Sequence, residues 1–484
     1  MRPENVSRTV LASGVGAVLA AAALAYVPEL IVWSPAAPPG PARRAELAAG
    51  AGARAELPDL VALIGDRERW VRRHPADDAS WAVLGTAYTE RGLRRADPAD
   101  FPRAERALKR SLTVLPAARG NLDAQQGLAA LANARGDWAT GREWGERVRK
   151  AAPERWSVYP VLIDAYDGLG DYKAAERATE TLTSLHAGSA VGAGRTADFY
   201  RVRGWREDAS AAAVDAVALA RTPAQKADAL ARAGELAAER GEPAEALARY
   251  GAALGLVREH GPSLAGRARA RAALGRTAEA MADWRAAVAR LPLPEYLLEA
   301  GELAEALGRD AEAQALYGRL RAAGAGRSWE RAEAVFGLFE ADHGDPAEAV
   351  RRLRAAWARG HRSVRVADAL GWALYRAGEP KQALPYAKRA TEEGLRSALF
   401  AYHRGEIERA LGESGAARRR LTEAVRTDPA FSPLWAARAR GALAELGEPS
   451  DELPDLVGAE GPSAPDKVAK RKGKKAPRKA GAGR

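Results

Sequence analysis

Cysteine is absent from the 484 residues. That excludes disulfides, thiolate zinc sites, a cysteine nucleophile and a lipid-modified N-terminal cysteine, and it leaves the compartment open. Strand formers are scarce, with only six Phe and four Ile. Ala, Leu, Arg and Glu dominate instead, so the chain reads as all-helical. Catalytic patterns are missing as well. There is no GxxxxGK[ST] phosphate loop, no GxSxG nucleophile elbow and no HExxH zinc helix. Gly14-Val15-Gly16 lies in an apolar stretch without the strand–turn–helix setting of a dinucleotide site. The six histidines (His74, His186, His260, His343, His361 and His403) are dispersed, and none pairs with another at helical spacing. They read as loop or helix-end residues. The expectation is a non-enzyme with no cofactor, no metal and no small-molecule substrate.

What is present is apolar surface and unevenly placed charge. Apolar residues make up 47% of the chain, enough for a large core. The length suits two or three domains or one repeat array. The net charge is +11. Residues 467–484 carry nine basic side chains and no acid: Lys467, Lys470, Arg471, Lys472, Lys474, Lys475, Arg478, Lys479 and Arg484. The remainder is therefore close to neutral. Residues 9–27 carry no charge, and Arg2 and Arg8 precede them. The length fits a single membrane-spanning helix. A cleaved signal peptide fits too, with Ala23-Leu24-Ala25 as its small-residue site. A buried amphipathic helix fits badly, because no face is polar. Arg43 and Arg44 nearly balance the leading arginines. The expected topology places the N-terminus inside and the rest outside the cytoplasmic membrane, or secreted if the segment is cleaved.

From Ala79 onward a glycine recurs: Gly92, Gly136, Gly170, Gly204, Gly241, Gly275, Gly308, Gly344, Gly378 and Gly412. After Gly136 the spacing is nearly constant, at about 34 residues, which is the mark of a repeat array. The longer first step holds an insertion around residues 94–100. A second glycine falls seven residues earlier in several repeats, as at Gly85, Gly234, Gly301, Gly337, Gly371 and Gly405. A residue that small lets two helices approach closely. Alanine follows most turn glycines by five residues, from Ala175 to Ala417, and a larger side chain such as Tyr250, Trp284, Tyr317, Leu353 or Leu421 follows four later. Small and large residues thus alternate by one turn on one helix face.

The first repeat carries Trp81, Leu84, Gly85 and Tyr88, then Ala104, Leu108, Ser111 and Pro116. The third carries Tyr159, Leu162, Tyr166, Gly170, Tyr172 and Ala175. At these residues the chain resembles the tetratricopeptide-repeat (TPR) family, over residues 78–430, with the repeat at 190–221 the weakest. As a whole it also looks like membrane-associated TPR proteins of high-GC actinobacteria. The resemblance implies a right-handed superhelical solenoid of about ten helix pairs. The expected organisation is a signal or anchor at 1–33, a Pro/Ala/Gly-rich linker at 34–57, the array with capping helices at 58–446, and a disordered linker and basic tail at 447–484.

In that family the first helix of each repeat lines the concave face. Matched positions give an acidic middle (Asp164, Asp167, Glu235, Glu239, Glu302 and Glu305). At the C-terminal end they give Arg365, Asp368, Trp372, Tyr375, Arg376, Tyr402, Glu406 and Arg409. Aromatic rings beside guanidinium groups suit a partner-binding groove. Trp372 and Tyr375 equally suit packing between adjacent repeats. The Lys/Asn set with which some relatives clamp a peptide carboxylate is missing. The expected function is a membrane-tethered or exported scaffold that binds a protein or peptide in its groove. The alternative is tethering to an anionic polymer, lipid or nucleic acid through the tail.

Overall fold

The computed structural model describes residues 39–325 and 327–447. The apolar stretch at 9–27 and the basic tail lie outside these residues. Every regular element among the described residues is helical. The core of the array is ten antiparallel pairs: α3 (Asp78–Arg95) with α4 (Asp100–Val114), α5 (Leu122–Arg135) with α6 (Trp138–Ala151), α7 (Tyr159–Leu169) with α8 (Tyr172–Leu185), α9 (Ala190–Val202) with α10 (Arg206–Leu219), and α11 (Pro223–Glu239) with α12 (Pro243–Leu256). The same alternation continues through α13 (Gly261–Ala273), α14 (Thr277–Arg290), α15 (Pro294–Ala306), α16 (Asp310–Gly324), α17 (Glu333–His343), α18 (Pro346–Ala358), α19 (Val364–Arg376), α20 (Pro380–Glu392), α21 (Ala398–Ala410) and α22 (Ser414–Thr427). A hairpin of α1 (Pro41–Gly50) and α2 (Leu57–Arg73) precedes them, and α23 (Trp435–Glu445) closes them. The expected linker at 34–57 is thus partly helix. Arg44 ties it down by pairing with Asp59 at 2.6 Å.

The pair geometry follows from the small–large alternation. The alanines five residues after the turn glycines, among them Ala209, Ala246, Ala280, Ala349, Ala383 and Ala417, are fully buried. Tyr250, Trp284, Tyr317, Leu353 and Leu421 are buried four positions on. Tyr250, Tyr317, Leu353 and Leu421 fill the gaps left by Gly234, Gly301, Gly337 and Gly405 on the partner helices. A Cβ on Gly234 would sit 2.9 Å from Tyr250 Cε1, and one on Gly371 would sit 3.1 Å from the Ala387 nitrogen. Burying one such aromatic is worth about 2–3 kcal/mol. Buried carboxylates brace the pairs. Asp283 receives Arg267 at 2.6 Å and Arg271 at 2.6 Å, and Asp100 receives Arg91 at 2.6 Å. Removing one partner would leave a buried charge without a counterion, which costs far more than the intact pair contributes.

Eight of the ten recurring glycines take left-handed backbone at the turn within a repeat. Asp137 and Asp171 follow immediately and cap the next helix, accepting the backbone N–H of Thr140 at 3.2 Å and of Ala174 at 3.1 Å. Two repeats depart from this. Gly92 lies inside α3, where the insertion moves the left-handed turn to Ala96, and Gly344 has φ −137°.

The solenoid returns onto itself. The turns of four successive repeats rest on loops that belong to the following turn of the coil, far along the chain. Gly136 lies against the backbone of Glu330 and Arg331, Gly170 against Arg362, Gly204 against Gly394, and Gly241 against Thr427 and Asp428. The Arg362 N–H donates to the Gly168 carbonyl at 3.2 Å, and the Val364 N–H donates to the Tyr172 hydroxyl at 2.9 Å. Arg203 pairs with Glu393 at 3.2 Å. One turn of the coil is therefore bonded to the next through backbone as well as side chains.

Candidate functional site

The first helices (α3, α5, α7 and so on to α21) supply a lattice of charge along the inner groove. Each link joins one first helix to the next. Asp164 on α7 accepts from Arg195 on α9 at 2.6 Å. Asp198 on α9 accepts from Arg232 on α11 at 2.7 Å and 3.1 Å. Arg201 on α9 reaches Glu239 at 2.8 Å and Glu235 at 3.1 Å, both on α11. Arg269 on α13 reaches Glu299 on α15 at 2.8 Å. Arg201, and after it Arg365 on α19, hold the Glu235 carboxyl below its usual range against the effect of burial. Of the acidic middle expected from sequence, Asp164, Glu235 and Glu239 are paired with arginines, whereas Glu302 and Glu305 face His343 at 3.9 Å and 3.4 Å. Arg195 and Arg201 come from the most degenerate repeat, and they, with Arg232 and Arg269, stand outside the sequence expectation. A usable signal exists: opposite charges about one repeat period apart, as in Asp198 and Arg232 or Arg201 and Glu235.

These side chains are close together yet still wet. Asp164 keeps 43% of its side-chain surface and Glu235 keeps 47%. Burial works against the charge on Arg201, but Glu235 and Glu239 outweigh it and raise its pKa. Such pairs can exchange an internal partner for a ligand's charged group at little net cost, because each bond broken is replaced by one of the same kind.

Asp167 lacks an arginine bond. Burial, and then the nearby Asp164 charge, push its carboxyl up to about 7, with Arg195 opposing. An acid whose folded pKa exceeds its unfolded value is most favourable when protonated. Its contribution to stability falls as pH rises from about 4 to about 7. Asp167→Asn is expected to raise the melting temperature at pH 8 and to leave it near the wild-type value at pH 4. Equal shifts at the two pH values in a thermal melt would contradict this assignment.

The eight C-terminal positions divide. Trp372 is 1% exposed, and Asp368, Tyr402 and Glu406 are also buried. Trp372 donates its indole N–H to Asp342 at 3.0 Å and stacks on His403 with ring centroids 4.1 Å apart. His403 in turn bonds Asp368 at 2.9 Å. Trp372 thus packs between repeats, and His403 is a mid-helix core residue rather than a helix-end one. Arg376 also pairs with Asp342. Tyr375 is half-buried; Arg365 and Arg409 are exposed, and Arg409 pairs with Glu406 at 2.9 Å. The basic tail residues, from Lys467 to Lys479, fall outside the described residues.

Residues 294–439 match the tetratricopeptide-repeat family model. No curated protein matches the chain. Among solved structures the chain is similar to PilW, a widely conserved type IV pilus biogenesis factor, at 20% identity over 42% of this chain and 93% of that one, with a TM-score of 0.35. It is similar to the APC/C hetero-tetramer Cut9–Hcn1 at 14% identity, covering 77% of this chain and 64% of that one, with a TM-score of 0.37. A thermophilic TPR protein of Thermus thermophilus matches at 23% identity over 39% of this chain and 98% of that one, with a TM-score of 0.34.

Proposed function

We propose that this chain is a tetratricopeptide-repeat protein and a non-catalytic scaffold that holds a protein or peptide partner in its inner groove. The observation that carries the reading is the lattice of paired but solvent-reachable charges along consecutive first helices. It offers carboxylates and guanidinium groups to an extended partner at repeated intervals. Arg365, Tyr375, Arg376 and Arg409 continue that surface toward the C-terminal end, while Asp368, Trp372, Tyr402 and Glu406 support it from beneath. The charge-free residues 9–27 favour a membrane tether, or export if they are removed, with the repeats on the outer side of the cytoplasmic membrane. The nine cations of the tail favour a second reading, in which residues 467–484 hold an anionic polymer, lipid or nucleic acid and the repeats act as a spacer.

One experiment separates the two. A photo-crosslinking amino acid is placed in the groove at Asp167 or Arg365, on the outer face at Arg351, or in the tail at Lys474. Groove binding predicts protein adducts from Asp167 and Arg365 and none from Arg351. Adducts from Lys474 alone, sensitive to moderate salt, would transfer the function to the tail.

A further inference from the structure

The first turn of the solenoid departs from the stacking just described. Residues 51–56, between α1 and α2, fold inward across the front of the groove instead of resting on a loop of the following coil turn. A Cβ on Gly52 would lie 2.8 Å from the Trp156 ring and 3.0 Å from Val191 Cγ2, so only glycine fits against that wall. Trp156 is itself braced by stacking on His186, with ring centroids 4.0 Å apart. Two residues later, Arg54 reaches Asp228 on α11 at 3.5 Å. His260 holds Asp228 in place from behind at 3.1 Å. Gly52 and Arg54 thus meet residues of the third, fourth and fifth repeats in the manner of a short bound peptide.

Two observations mark this contact as replaceable. Arg54 is 63% exposed, and its one ion pair among the described residues is of the solvent-exposed kind that adds little to stability. The helix that would leave with the turn, α1, fully buries only Ala45. A third observation shows the contact is incomplete. Glu90, near the end of α3, has its Oε1 buried without a hydrogen-bond partner. Its closest cation is Arg94, 3.7 Å away and engaged with the Ala55 carbonyl. Arg54 and Asp228 both lie close enough for their charges to act on Glu90, so a cation at the position of Arg54 faces two carboxylates.

We propose that Gly52-Ala53-Arg54 is a built-in occupant of a peptide site at the front of the groove. The site takes from a partner protein a segment that turns at a left-handed glycine, as Gly52 does at φ +69°, two residues before an arginine or lysine. The Trp156–His186 platform selects the glycine, and Asp228 with Glu90 receives the cation. This rests on the reading of the groove as the partner surface, and it adds a reading frame and a competitor in cis.

The probe is a fluorescein-labelled synthetic peptide with the sequence of residues 47–58, titrated onto the full chain and followed by anisotropy. Gly52→Val drives a side chain into Trp156 and expels the resident turn. It is expected to bind the peptide at least about tenfold more tightly than wild type, because self-occupancy lowers the apparent affinity by the fraction of sites left open. Asp228→Asn in the same background, or alanine in place of arginine in the peptide, is expected to abolish that gain. Arg54→Glu is the second test, since it repels Asp228 without adding bulk. If Gly52→Val and Arg54→Glu keep the wild-type circular dichroism and elution volume yet bind no more tightly than wild type, the proposal is overturned. Binding that ignores Asp228→Asn overturns it as well. Failure here with groove cross-links intact at Asp167 and Arg365 removes the front site alone, whereas loss of both removes the groove reading.

Discussion

Gly170→Ala is expected to destabilise the array about twice as much as Gly308→Ala, although both replace a turn glycine at the same place in a repeat. The two share a left-handed backbone, with φ +70° and +67°. An L side chain there costs about 1–2 kcal/mol. They differ in surroundings. A Cβ on Gly308 meets nothing within 4 Å, whereas one on Gly170 drives into the carbonyl of Arg362, in the next turn of the coil. Backbone cannot rotate away as a side chain would. Overpacking of this kind adds about 1–3 kcal/mol. The strain also sits beside the bonds from the Arg362 N–H to the Gly168 carbonyl and from the Val364 N–H to the Tyr172 hydroxyl. Gly170→Ala should therefore loosen one coil turn from the next. Denaturant unfolding reads the stability difference, and small-angle scattering reads the shape. An increased radius of gyration is expected for Gly170→Ala and not for Gly308→Ala. Equal unfolding midpoints for the two variants would show that the contact between turns carries no load.

The contrast explains which parts of the fold were legible in the sequence. Spacing reports what each repeat needs for itself: a turn glycine, a small residue for close helix approach, and an aromatic or Leu to fill the gap. Every one of these is a contact within or between adjacent repeats, so the period displays it. Gly170 and Gly308 look identical on that basis. What separates them is a neighbour in another turn of the coil, brought there by the rise and rotation accumulated over the intervening repeats. Small changes per repeat decide whether a turn meets solvent or another backbone, and no single motif encodes that sum.

The groove divides in the same way. The period marked Asp164, Glu235 and Arg365 as positions on first helices, and the structure joins Asp164 and Glu235 to arginines of the neighbouring first helix. Their partners were harder to see. Arg195 and Arg201 sit in the repeat with the fewest consensus residues, and a search for consensus positions passes over them. Physical complementarity is the better guide there, since unlike charges about one period apart face each other on adjacent helices. The hairpin of α1 and α2 was partly hidden by composition. Residues 41–50 are rich in Ala and follow Pro39 and Gly40, which gives a linker-like texture. Arg44 and Asp59, fifteen residues apart, carry the pairing that orders it.

Trp372→Ala is expected to act through stability and not through the groove. The indole lies in the core of α19, donates to the buried Asp342, stacks on His403, and meets Trp435 of the closing helix edge-on at 5.9 Å. The Arg376 guanidinium lies over the rings of both Trp372 and Trp435, 5.7 Å and 5.9 Å from their centroids. Truncating a buried tryptophan to alanine costs about 3–5 kcal/mol. Asp342 would also lose one of its two donors in a place where an unsatisfied carboxylate is expensive. Because repeats hold one another chiefly through neighbours, the loss should appear first as early melting of the last three repeats with α23. Trp372→Phe keeps most of the ring and loses chiefly the indole hydrogen bond, so it should cost well under half as much. Hydrogen exchange provides the local readout: amides of α19, α21 and α23 should lose protection while those of α3 and α5 keep theirs. A variant with unchanged protection and unchanged melting, but weaker cross-linking from Arg365 to a partner, would return Trp372 to the binding surface. Its 1% exposure argues against that outcome, because a ring without accessible surface has nothing to offer a ligand until the repeat that holds it has opened.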